Sequence, residues 1–132
     1  HATVGNDKVS SLINDSAWVE NHFIPVVQKR GAAIIEARRG KSSAASAANA
    51  IINHMQDWIF GTQEGNWVSM GVPSNGCHGI PSGVIYSFPV TCQNGQYRIV
   101  ENLETSQSDQ VKMQQSYREL IAEQESIKHL LT

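Results

Sequence analysis

Cysteine is scarce: Cys77 and Cys92 are the only two in 132 residues. A small domain stapled by disulfides normally needs more, so both are expected as reduced thiols of an intracellular, cytoplasmic protein, with one buried bridge as the alternative. Long apolar runs are missing as well. None approaches the length of about 20 residues that spans a bilayer, so no membrane role is expected. No sign of charge dominates, because ten Lys and Arg stand against twelve Asp and Glu for a net −2. That balance provides no basic field for nucleic acid or anionic lipid. No apolar leader opens the sequence. It enters at His1 rather than Met, and an upstream portion is expected.

Several catalytic signatures are also wanting. There is no Gly-x-Ser-x-Gly elbow and no Gly-x-Gly-x-x-Gly dinucleotide turn. Gly40-Lys41-Ser42 resembles the end of a phosphate loop, but Ile35 occupies the position of the required first glycine and a helix precedes it. A helix stop followed by a cap explains those residues better. His22, His54, His78 and His129 are scattered, and Cys77-His78 has no second pair at zinc-finger spacing. No metal site is expected.

What is present is a strong helical pattern in the first half. Residues 1–14 read as a polar loop with a short helix or turn. Asp15 and Ser16 suit the cap of a helix over about 17–39, which Pro25 should kink or break by removing a backbone donor. Gly40 ends it. Ser42 and Ser43 are placed to cap a second helix, Ala44 to Phe60, closed by Gly61. Ile51, Ile52, Met55, Trp58 and Ile59 share one face there, and the first turns are nearly all Ala and Ser.

Strand signals follow. Residues 67–72 form a short run, and Pro73 to Gly83 is rich in turn formers. Val84, Tyr86, Phe88 and Val90 alternate over 84–92, and Asn94-Gly95 is a two-residue hairpin turn into 97–101. Pro89 cannot donate to a ladder and is expected at an edge or bulge. Ser106 and Asp109 have capping-box spacing ahead of a helix over about 108–130, striped by Val111, Tyr117, Leu120, Ile121, Ile127 and Leu131. Grouped strands between helices predict an α+β domain: an antiparallel twisted sheet with long helices packed on it.

Ser42, Ser43 and Ser46 cluster where a helix starts. Capping and close packing account for them on chemistry alone. The alternative is a helix amino-terminus, with free N–H groups and a positive dipole end, meeting an anionic ligand.

Several blocks favour that alternative. Arg30-Gly31-Ala32-Ala33-Ile34-Ile35, Ala37-Arg38, and Ser42-Ser43-Ala44-Ala45-Ser46-Ala47-Ala48 closely resemble the second half of cytosolic-type malate dehydrogenases of the lactate/malate dehydrogenase family. So do Asp57-Trp58, Gly61-Thr62, Glu64-Gly65, Trp67-Val68-Ser69-Met70-Gly71 and Tyr86-Ser87-Phe88-Pro89-Val90, all in order. The resemblance implies that residues 1–132 are a carboxy-terminal substrate-binding domain, working with an amino-terminal Rossmann half that binds NAD. It implies interconversion of malate and oxaloacetate by hydride transfer, in a homodimer. By the same resemblance the catalytic His and Asp and the substrate arginines lie upstream of His1. No catalytic residue is then expected within the chain, which alone should be inactive. Ser42 resembles the family hydroxyl beside substrate and nicotinamide, Gly31 a pocket-lining glycine where a side chain would crowd the substrate, and Ser46 a residue near the cofactor. Segment 38–41 is one residue longer than the family spacing, which leaves Ser43 as the alternative to Ser42. A non-catalytic dimerisation or binding module of the same fold, or part of another 2-hydroxy-acid dehydrogenase such as lactate dehydrogenase, are the competing readings.

Overall fold

Asn94 and Gly95 both take positive φ, 52° and 73°, and so reverse the chain between two strands. In the computed structural model, which describes residues 1–130, this turn joins β4 (Ile85–Gln93) to β5 (Gln96–Ile99). With β3 (Val68–Pro73) they form an antiparallel sheet in the order β3-β4-β5. Met70 stands opposite Phe88, and Val90 opposite both Val68 and Ile99. The period of two turns Tyr86, Phe88, Val90 and Cys92 to one face, where they are buried with Met70, Val72 and Ile80.

A capping box starts α6 (Gln107–Ile127). The Ser106 hydroxyl accepts from the Asp109 backbone N–H at 3.1 Å, and the Asp109 carboxylate accepts from the Ser106 N–H at 3.2 Å. Met113, Tyr117 and Leu120 of α6 pack against the sheet core, while Val111 and Ile127 from the expected stripe stay exposed. Leu131 lies outside the described residues. The expected α+β architecture is the one observed.

Contacts within the chain fall into two units, His1–Asn49 and Ala50–Thr132. Helix α5, Ala44–Phe60 as expected, runs through their boundary. In the first unit a small hairpin, β1 (Thr3–Val4) with β2 (Asp7–Lys8), and α1 (Val9–Ile13) occupy the segment expected as a loop with a short helix. Asp15 caps α2 (Ser16–Trp18) by accepting from Trp18 N–H at 2.8 Å. The single helix expected over 17–39 is divided. A π-helical turn at Val19–Phe23 leads into α3 (Ile24–Gln28), and α4 (Arg30–Ala37) follows after Lys29. Pro25 is the second residue of α3 and follows the π-helical turn directly, with helical backbone on both sides, so the expected break takes the form of a widened turn. Arg39 and Gly40 then take φ of 54° and 84° and stop the helix. No helix among the described residues is long and apolar enough to cross a membrane.

The expectation for Pro89 needs correcting. It stands in β4, the central strand, opposite Ser69. Its neighbour on the other side is Val100, one residue past the end of β5, whose N–H donates to the Pro89 carbonyl at 2.9 Å. An ordinary residue would return a second bond to the Val100 carbonyl. Proline cannot, and His78 Nε2 makes that bond instead, at 2.7 Å. The imidazole, held in a 3-10 turn (Cys77–Gly79) at a φ of 53°, stacks near Phe88. A central strand thus tolerates proline because a distant side chain supplies the absent donor.

Candidate functional site

Ser42, Ser43 and Ser46 lie around the start of α5. Ser42 is exposed in the connection from α4, Ser43 is half-buried, and Ser46 is exposed one turn into the helix. The Ser43 and Ser46 hydroxyls are hydrogen-bonded to each other. The caps expected from Ser42 and Ser43 therefore take a different form, a side-chain pair bridging the first turn. Gly31, second residue of α4, faces open space: a Cβ there would meet nothing within 4 Å. Crowding at Gly31 is thus not imposed by this chain's own atoms.

The electrostatics of the segment favour a negative partner. Free N–H groups and the positive dipole end open α5, and Arg38, Arg39 and Lys41 precede it, all exposed. The charge of residues 38–41, and not only their number, is the signal in the sequence that marks this segment. Such an arrangement can orient an anion. Among the described residues, the hydrogen bonds made by Ser43 and Ser46 are to each other. Among the described residues no three His, Cys, Asp or Glu side chains gather to hold a metal ion.

The perturbed titrating groups lie in the sheet unit. Burial pushes the Tyr86 hydroxyl up against the opposing effect of a Ser116 hydrogen bond, and the phenol donates to the Met113 carbonyl at 3.1 Å. Burial, with the nearby Asp57 charge, also raises the Cys92 thiol. Cys77 and Cys92 are both free thiols. These groups serve packing: Cys92 is buried beside Met70, and its N–H donates to the Thr62 hydroxyl at 3.2 Å. At Gly61, with φ of 97°, a Cβ would press on the Cys92 carbonyl at 3.0 Å. Glycine there lets the end of α5 close onto β4, beside an open cleft of about 600 Å³ bordered by Thr62, Glu64, Tyr97 and Arg98.

Likeness to known proteins decides the family. Residues 1–131 match the family described as lactate/malate dehydrogenase, alpha/beta C-terminal domain. The chain belongs to that family. A malate dehydrogenase from Naegleria fowleri is 47% identical over 97% of this chain and 39% of its own, with a TM-score of 0.85. An apo lactate dehydrogenase variant from Trichomonas vaginalis is 34% identical over 89% of this chain and 36% of its own, at a TM-score of 0.80. The lactate dehydrogenase of the same organism in complex with NADH and oxamate gives 35% identity over the same shares and a TM-score of 0.79. The chain therefore spans less than half the length of these relatives, and corresponds to the C-terminal domain of lactate/malate dehydrogenases.

Proposed function

We propose that this chain is the substrate-binding and dimerisation domain of an NAD-dependent malate dehydrogenase, interconverting malate and oxaloacetate in the cytoplasm. The observation that carries the reading is the identity of 47% with a malate dehydrogenase along 97% of the chain, against 34% and 35% with lactate dehydrogenases. Two free thiols agree with a reducing compartment.

The described sheets are antiparallel, and the chain has no glycine-rich dinucleotide turn. The residues present do not fit a complete NAD site, so that site is assigned to an amino-terminal Rossmann half. The proton-transferring His and Asp are assigned there too, and the 132 residues alone are expected to be inactive. What this chain contributes is a wall. Ser42, or Ser43 given the longer 38–41 segment, offers a hydroxyl to the substrate; Gly31 leaves room; Ser46 lies near the cofactor. Their roles are orientation and water exclusion. The small-residue faces of α4 and α5 suit a homodimer contact.

The test joins the amino-terminal half of a malate dehydrogenase to this chain and, separately, to the corresponding domain of a lactate dehydrogenase. Oxaloacetate-dependent oxidation of NADH is expected to be faster with this chain; the reverse order contradicts the reading. In the active chimera Ser42→Ala is expected to lower kcat/KM by about tenfold to a hundredfold, the value of a hydrogen bond to a charged group. A larger loss from Ser43→Ala assigns the role to that hydroxyl instead.

A further inference from the structure

The chain has two Asn-Gly pairs, Asn75-Gly76 and Asn94-Gly95, with both asparagines exposed and Gly95 half-buried, and their reacting groups are held very differently. Asparagine followed by glycine is prone to cyclise, because no Cβ shields the following amide nitrogen. At the first pair both partners are engaged. The Asn75 side-chain carbonyl accepts from Cys77 N–H at 3.1 Å, and Gly76 N–H donates to the Ile80 carbonyl at 3.1 Å. At the second pair, ladder bonding ends at Gln93 opposite Gln96. Neither the Asn94 side chain nor the Gly95 N–H is bonded among the described residues.

We propose that Asn94 is a site of spontaneous deamidation to aspartate and isoaspartate, and that Asn75 is protected from the same reaction. The Gly95 nitrogen, losing its proton, bonds to the Asn94 side-chain carbonyl carbon. The bond from that carbon to the amide nitrogen breaks, and ammonia leaves with the proton. Water then adds to either carbonyl of the resulting succinimide and opens it. One product is aspartate with the backbone intact; the other is isoaspartate, with an extra methylene in the main chain. Water is the only co-reactant and nothing is oxidised or reduced.

The isoaspartate form has a structural consequence. The Gly95 carbonyl accepts from the Trp58 indole N–H at 2.7 Å, the bond that ties the last turns of α5 to the hairpin. Lengthening the backbone one residue earlier displaces that carbonyl, and a two-residue turn has no slack to compensate.

The chain, aged in warm, mildly alkaline buffer, is digested with chymotrypsin. Cleavage after Tyr86 and Tyr97 puts the two pairs in different peptides. The peptide holding Asn94 is expected to gain the mass of an amide-to-acid change, and to accept methyl groups from an isoaspartyl methyltransferase, at least about tenfold faster than the peptide holding Asn75. The difference is expected to disappear when ageing is done in denaturing urea. Asn94→Gln is expected to abolish the change in its peptide and leave the Asn75 rate as it was. Equal rates in the native chain, a faster change at Asn75, or a signal that survives Asn94→Gln overturns the proposal.

Discussion

Residues 50–130 contain every buried side chain described, with Phe88, Ile80 and Val90 fully enclosed; residues 1–49 contain none. Trp18, Phe23, Val26, Val27 and Ile35 of the first unit are exposed, as are Ile51, Ile52 and Phe60 on α5, Phe60 by 84%. Single exposed apolar residues are ordinary, but a helical segment with no buried residue has no source of stability within itself. The sheet unit carries its own core. The helices before it bear the apolar composition of a buried segment, as expected if the proposed amino-terminal half covers them. This contrast fits a chain covering 39% of a malate dehydrogenase relative.

The sharpest way to test the contrast is to remove bulk from each region. Phe88→Ala is expected to destabilise the sheet unit by about 3–5 kcal/mol, enough to unfold it, because the ring is fully enclosed. Ile35→Ala, at a residue 44% exposed, is expected to change urea stability by no more than about 0.5 kcal/mol. An equal loss from both would show a shared core and break the comparison.

A smaller effect concerns how the sheet is completed. His78→Ala leaves the Val100 carbonyl without its donor and is expected to cost about 1–3 kcal/mol. In a Pro89→Ala background, where the strand regains its own N–H, the same change is expected to cost much less. A double-mutant cycle in urea measures this coupling; simple additivity would refute the exchange of donors.

Smallest is the cap of α6. Ser106→Ala is expected to cost about 0.5–2 kcal/mol by thermal melting. The Ser106 hydrogen bonds hold the Asp109 carboxyl below its ordinary range. A lowered acid stabilises the fold above its unfolded-state value and loses that contribution as pH falls through the folded one. The acid limb of the stability profile is therefore expected to flatten in Ser106→Ala; an unchanged limb would remove Asp109 from the account.

Much of the fold was legible because its signals are local. Flanking Ser and Gly residues bound α5, Asn94-Gly95 makes its own turn, and Ser106 with Asp109 writes a complete cap. Pro89 was misjudged because its tolerance depends on His78, eleven residues away in sequence and brought over by tertiary packing. Pro25 announced a break but not its form, since a π turn and a simple kink both accommodate a residue without a backbone donor. The candidate site was the least legible part. Ser42 and Gly31 do nothing visible within 1–49, and only family likeness gives them a place.

Hydrogen exchange across residues 16–37, with and without the amino-terminal half of a malate dehydrogenase, tests the central claim most directly. The account predicts rapid exchange in the chain by itself, beside protected strands at 68–99, and strong new protection of the helices when the two halves associate. Helices already as protected as the strands, or unchanged on association, would contradict it.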